Sequence, residues 1–349
     1  MAVMPQPASH VYEVAIVGAG PIGLELAVAM KKAGVDYAHF DARQIGYTIS
    51  WYPPQTRFFS SNERIAIGGV PLLTPEQGKA TREQYLTYLR GVVEQFNLDV
   101  RTYEPVTAIE RTDGGFTLHT ESHAGPRQTR AKRLVLATGG TDRPRRLGAP
   151  GEDLPHVSHD LGDPHRYFRR RVLIVGGRNS AIESALRCHH AGARVLISYR
   201  GNSIDENGIK YWLVPEFKSL IESGRIEAHF DTVVRRITPT HVTLAERAGG
   251  SHDVAVDFVL AQIGYVQDTT LFRKAGLELQ GPRNAPVFNE ATMETSVPGI
   301  YVAGTAVGGT QEKYSVFIEN CHVHVDRIMR ALFEIEVGAA RAKIDLPES

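Results

Sequence analysis

The sequence predicts an α/β fold made of two Rossmann-like domains. Three observations carry that expectation. A pattern of strand, glycine turn, helix and strand occurs twice, from Tyr12 to Ala42 and from Arg170 to Arg200. A chain of 349 residues exceeds one ordinary core. Between the copies, "GGTDRPRRLGAPGEDLP" (Gly139 to Pro155) is rich in turn formers and supplies a linker.

The first copy is "YEVAIVGAGPIGLELAVAMKKAGVDYAHFDA" and the second "RRVLIVGGRNSAIESALRCHHAGARVLISYR". Each predicts a βαβ unit, whose right-handed crossover makes its two strands parallel neighbours in one sheet. Gly34 and Gly192 stand where the helices should end. After the second copy come alternating β segments such as "AHFDTVVRRITPTHVTLAE". "DFVLAQIGY" (Asp257 to Tyr265) and "GIYVAGT" (Gly299 to Thr305) read as buried strands, and a last helix is expected from about Ser315 to Phe333.

Composition narrows the partners. Lys+Arg and Asp+Glu both number 39, so no net field attracts nucleic acid or membrane. The basic runs Arg143 to Arg146 and Arg169 to Arg171 lack interleaved aromatics. Two cysteines, Cys188 and Cys321, exclude a disulfide framework and fit a reducing cytoplasm. The N-terminal apolar segment holds Glu13, Glu25 and several glycines, which is neither a signal peptide nor a membrane span.

The glycine turns name their ligands. Gly18, Gly20 and Gly23, with Pro21 among them, form GxGxxG directly after a strand and opening a helix. The first glycine allows the tight turn, the second lets a pyrophosphate approach, and the third lets helix and strand pack closely. The next strand ends in Asp41, placed to accept from a ribose diol, which suits FAD. In the second turn Gly176 and Gly177 are followed by Arg178 and Ala181 at the other fingerprint positions, and the strand after it ends in Tyr199-Arg200. Arg pairs with a 2′-phosphate that a carboxylate would repel, so this site is expected to take NADPH. The bland alternative makes Arg200 an ordinary surface charge.

With these features, the chain resembles the thioredoxin-reductase-type flavoprotein reductases over nearly its whole length. Within them it is similar to the YpdA-like bacillithiol disulfide reductases. The residues that carry the likeness are "YPPQTRFFSSNERIAIGGVPL" (Tyr52 to Leu72), "VGGRNSAIESAL", "ISYRG", "IKYWLVPEF", "AQIGY" and "FIEN". The resemblance implies hydride transfer from NADPH to FAD, then reduction of a small thiol disulfide. It places FAD on Gly18, Gly20, Pro21, Gly23 and Asp41, closed by Thr138, Gly139 and Gly304, with the Tyr52, Phe59 and Ser60 segment along the flavin. NADPH would lie on Gly176, Gly177, Arg178, Asn179, Ser180 and Arg200. A homodimer or homotetramer is expected.

Three departures qualify the likeness. No CxxC dithiol is present, Ile22 stands where the bacillithiol-reductase-like family has a cysteine, and Gly304 is followed by Thr305 rather than Asp. The catalytic candidates left are Cys321, in the last helix, and His159, in "HVSHDLGDPH"; packing and interdomain hydrogen bonding are the respective alternatives. His189-His190 and His322-His324 lack metal-ligand spacing, so no metal is expected.

The expected organisation is an FAD-binding domain over 1–145 and 270–349, with an NADPH-binding domain over 146–269. The expected activity is FAD-dependent NADPH oxidation coupled to a small thiol disulfide. The alternatives are another acceptor (a ferredoxin-like protein, a quinone or oxygen) and a non-catalytic flavoprotein that senses NADPH.

Overall fold

A computed structural model of the protein describes residues 10–312 and 314–337. The chain divides into two compact units, one running to Arg143 and resuming at Val266, the other spanning Pro144–Tyr265. Each is built around its own copy of the repeated pattern.

In the first unit, β1 (Val11–Val17) is apolar throughout its second half because both of its faces are covered. Val14 and Ile16 join one core cluster with Leu24, Leu26 and Val28, while Ala15 and Val17 join another with Phe40 and Leu136. Helix α1 (Pro21–Lys32) opens on a proline, whose missing N–H costs nothing in the first turn, and Gly34 follows it at φ +68°. Strand β2 (Tyr37–Phe40) returns parallel to β1. Helix α2 (Arg82–Phe96) starts with a capping box between Thr81 and Gln84.

An antiparallel meander follows: β3 (Val106–Thr112), β4 (Gly115–Ser122) and β5 (Gly125–Leu136). The first half of β5 bonds to β4, and its second half lies parallel to β1.

The second unit contains β6 (Val157–Ser158), β7 (Arg171–Val175), α3 (Asn179–His190), β8 (Arg194–Tyr199), α4 (Val214–Glu222) and β9 (Ile226–Phe230). An antiparallel ribbon comes next: β10 (Thr232–Ile237), β11 (His241–Glu246) and β12 (Ser251–Ala255). With β13 (Phe258–Ala261), the parallel sheet has the order β9-β8-β7-β13-β6. Val172 and Ile174 face one cluster, Leu173 and Val175 another, repeating the two-sided burial of β1.

Back in the first unit, β14 (Ile300–Val302) lies parallel to the end of β5, completing a sheet of order β2-β1-β5-β4-β3 with β14 branching from β5. The final helix α5 covers His322–Phe333, so it begins later than the sequence predicts. Side chains take the backbone groups upstream. Gln311 Oε1 accepts from Ser315 N (2.8 Å) and Val316 N (3.0 Å), and Asn320 Oδ1 accepts from Phe317 N (2.9 Å). Within 315–321, where the sequence predicts helix, the chain forms a short 3₁₀ turn, Ile318–Asn320.

Candidate functional site

In the first unit the glycine turn is fixed by sterics at two of its three positions. A Cβ on Gly18, at φ +110°, would stand 2.3 Å from the Ala137 carbonyl oxygen, and one on Gly23 1.9 Å from the Gly18 oxygen. A Cβ on Gly20 would meet nothing within 4 Å. Gly20 also has extended backbone, φ −73°, that any residue adopts. Its bare Cα therefore leaves open space at the N-terminus of α1, where helix amides attract a phosphate group.

Asp41 Oδ2 accepts from Ala19 N (2.6 Å) and Oδ1 from Arg43 N (2.7 Å). Burial raises its carboxyl above the usual range, opposed by those two amides. Gly139, at φ +83°, and Gly304, at φ +69°, complete the rim. A Cβ on Gly139 would lie 3.9 Å from Thr305 Oγ1, and one on Gly304 would lie 3.4 Å from Ile22 Cβ. The structure thus gathers the 18–23 turn with Ala137, Thr138, Gly139 and Gly304.

Three supporting residues escaped the sequence reading. His39 is fully buried; burial pushes it down to about 4, and its Nε2–H donates to the Gly18 carbonyl (2.9 Å). Gln267 Nε2 donates to both Gly139 O and Ala306 O at 2.9 Å. His324 Nδ1 accepts from Gly304 N (3.2 Å), and burial holds its imidazole down at about 4. A polar residue inside an apolar run was the available signal for His39; Gln267 gave none.

The aromatic segment sorts differently. Phe58 belongs to the core and its ring lies 4.6 Å from that of Tyr85, whereas Phe59 is exposed under Lys79 Nζ. Tyr52 is half-buried, its carbonyl held by Arg82 at 2.8 Å, and Ser60 is buried.

Both thiols are buried, and burial pushes Cys188 and Cys321 up to about 12, Glu25 adding to the effect at Cys321. Neither is a thiolate near neutral pH, the form that exchange requires.

In the second unit, Gly176 has φ +138°, and a Cβ there would meet the Gln262 oxygen at 2.4 Å. Arg178 is the exposed N-cap of α3, with extended backbone, φ −120°. Asn179 Oδ1 accepts from Lys210 N (2.6 Å), and Ser180 is exposed in the first turn of α3. Arg200 follows β8, is exposed, and meets no carboxylate among the described residues. His159 Nε2 lies 3.6 Å from Glu152 Oε1, while its buried Nδ1 has no hydrogen-bond partner among the described residues.

Residues 15–304 match the family described as pyridine nucleotide-disulphide oxidoreductase. The chain belongs to that family. It is an oxidoreductase of thioredoxin-reductase-like fold, with FAD and NADPH as its cofactors. Among relatives, it is 37% identical over 314 residues to a bacilliredoxin reductase, Bdr, of Bacillus subtilis, covering 88% of this chain and 94% of that protein. A ferredoxin–NADP reductase of Listeria monocytogenes is 28% identical, with 85% of each chain covered. A solved structure of the bacillithiol disulfide reductase Bdr (YpdA) from Bacillus cereus superposes with a TM-score of 0.87 at 34% identity, over 93% of this chain and 99% of that one. The open face at Gly20 and the two fingerprint turns fit the family's dinucleotides.

Proposed function

We propose that the protein is an NADPH-dependent FAD reductase of a small thiol disulfide of the bacillithiol type. The observation that carries this reading is the 37% identity to a bacilliredoxin reductase along 94% of that protein. In this reading FAD rests on Gly18, Gly20, Pro21, Gly23 and Asp41, bounded by Thr138, Gly139 and Gly304. The Tyr52, Phe59 and Ser60 segment borders the flavin. NADPH rests on Gly176, Gly177, Arg178, Asn179 and Ser180, with Arg200 for the 2′-phosphate. The bound cofactors supply the hydride chemistry, and the chain contributes positioning.

The chain's own thiols take no part: both are buried and held protonated, so the disulfide is reduced without a protein dithiol. His159, whose Nε2 lies 3.6 Å from Glu152 Oε1, remains the candidate acid. We further propose a cytoplasmic homodimer or homotetramer; two cysteines in 349 residues suit a reducing compartment.

The buried thiols also favour a second reading, electron delivery to a ferredoxin-like protein, a quinone or oxygen, in line with the 28% identity to a ferredoxin–NADP reductase. The test is stoichiometric anaerobic reduction with NADPH, followed by a screen of acceptors while flavin absorbance is monitored. Reoxidation by low-molecular-weight disulfides ahead of the other acceptors is the expected result. Reoxidation by ferredoxin or quinone alone moves the assignment to the second reading.

A further inference from the structure

The two glycine turns align without a gap: helix α1 falls on α3 residue for residue, Gly18 on Gly176 and Gly23 on Ala181. In that register Asp41 falls on Tyr199, Ala19 on Gly177, and Arg43 on Gly201. The residue that replaces the ribose-binding acid is therefore Tyr199, with Arg200 one place beyond it.

The surroundings of the two residues match as well. In the first unit the amides of Ala19 and Arg43 embrace the Asp41 carboxylate. In the second, the Tyr199 ring lies between the two equivalent residues. A Cβ on Gly177 would stand 2.5 Å from Tyr199 Cδ2 and 2.6 Å from Cε2; one on Gly201 would stand 2.6 Å from Cε1. Both positions must be glycine for the ring to seat there. Ala19 and Arg43 show that the turn itself accepts side chains at these places. An aromatic ring edge accepts no N–H bond of ordinary strength. The Gly177 and Gly201 amides accordingly donate to no acceptor among the described residues.

We propose that Tyr199, seated between Gly177 and Gly201, is a positioning residue that converts a carboxylate clamp into a 2′-phosphate site. The ring removes the negative charge found at this place in the first unit. It leaves two backbone amides unclaimed, beside the exposed Arg200. With no carboxylate at this place, the exposed Arg200 guanidinium is left to pair with a phosphate monoester, and a ribose diol finds no acceptor there. The Tyr199 hydroxyl has no partner among the described residues, so the ring rather than the phenol does the work. The proposal rests on the NADPH reading of Arg200 and deepens it.

The test is calorimetric titration of the flavin-loaded protein with 2′,5′-ADP and with 5′-AMP, alongside melting temperatures. Tyr199→Asp restores the carboxylate that the two amides would hold; it is expected to weaken 2′,5′-ADP by at least about tenfold and 5′-AMP little. Tyr199→Asn occupies the same amides without charge, and an expected loss of roughly threefold keeps the test open if the Asp variant does not fold. Tyr199→Phe is expected to bind both probes as the wild type does.

Folded Asp and Asn variants that keep the wild-type ratio of the two affinities overturn the proposal, as does a Phe variant that loses it. Arg200→Ala separates the premises. If it weakens 2′,5′-ADP while the Tyr199 variants do not, the Arg200 reading stands and the proposal falls. If Arg200→Ala leaves the ratio unchanged, the Arg200 reading falls by itself.

Discussion

Gly304 and His324 are joined by a 3.2 Å hydrogen bond in which the glycine N–H donates to His324 Nδ1. That geometry requires an unprotonated Nδ1, and burial, which holds this imidazole down at about 4, agrees with it. His39, donating from Nε2 to Gly18, is likewise held at about 4. One neutral histidine thus braces the Gly18 turn and another the backbone at Gly304.

Stability is expected to fall on acidification. Between about 6.5 and 4 the unfolded chain binds a proton at each histidine that the folded chain refuses, so unfolding gains ground as pH drops through that window. The limit is on the order of 3 kcal/mol per histidine. Asp142, raised by burial to about 6, acts in the opposite sense and offsets part of it between about 4 and 6. Melting temperatures from pH 7 to 5 should decline, and His324→Asn, which keeps an acceptor without a titrating ring, should lessen the slope.

Gly20 and Gly23 are expected to fail in different ways. Gly23→Ala puts a methyl 1.9 Å from the Gly18 oxygen and should cost at least about 3 kcal/mol of stability even without flavin. Gly20→Ala meets open space and extended backbone, so the apoprotein should melt as the wild type does while FAD binds roughly tenfold more weakly. Apoprotein calorimetry and flavin titration separate the two; a destabilised Gly20→Ala apoprotein would contradict the assignment.

Replacing both buried thiols should leave disulfide turnover intact. Cys188→Ser with Cys321→Ser buries two hydroxyls and should cost about 1–3 kcal/mol each in stability, with flavin reduction by NADPH and reoxidation by disulfide both preserved. In the native protein neither thiol should react with a soluble thiol reagent on a timescale of minutes, and both should react once the chain is unfolded. Loss of turnover with flavin reduction retained would assign a thiol to the reaction.

Ile22 packs against Gly304 in the first turn of α1. Ile22→Cys should retain FAD and lose about 1–2 kcal/mol through the smaller side chain. Flavin absorbance and thermal unfolding check both parts. Release of the flavin would mean that the Ile22 contact shapes the cofactor face directly.

The local part of this architecture was legible in the sequence. Strand, glycine turn and helix are short-range patterns, and Asp41 closes one of them. What escaped depends on contacts between distant segments. Gln267 reaches Gly139 and Ala306, and nothing near Gln267 announces it. Phe58 and Phe59 are adjacent and chemically alike, yet one is core and the other exposed, because only tertiary packing sets the direction of each side chain. Helix α5 starts later than its sequence pattern predicts because Gln311 and Asn320 take amides that a helix would otherwise use. In the second unit Arg200 drew attention by its charge, while the position equivalent to Asp41 holds Tyr199.

The change of partner along β5 sets an order of assembly. Its second half needs β14, where Leu134 pairs with Ile300, and those residues are synthesised only after the whole of the second unit. The second unit is contiguous in sequence and can close its own sheet as soon as β13 is made. The first must hold β5 without β14 for that entire interval, and closing so long a loop is slow. A growing chain therefore carries a finished domain between two halves of an unfinished one, and an unpaired stretch of β5 is the edge it has to protect from aggregation until the end.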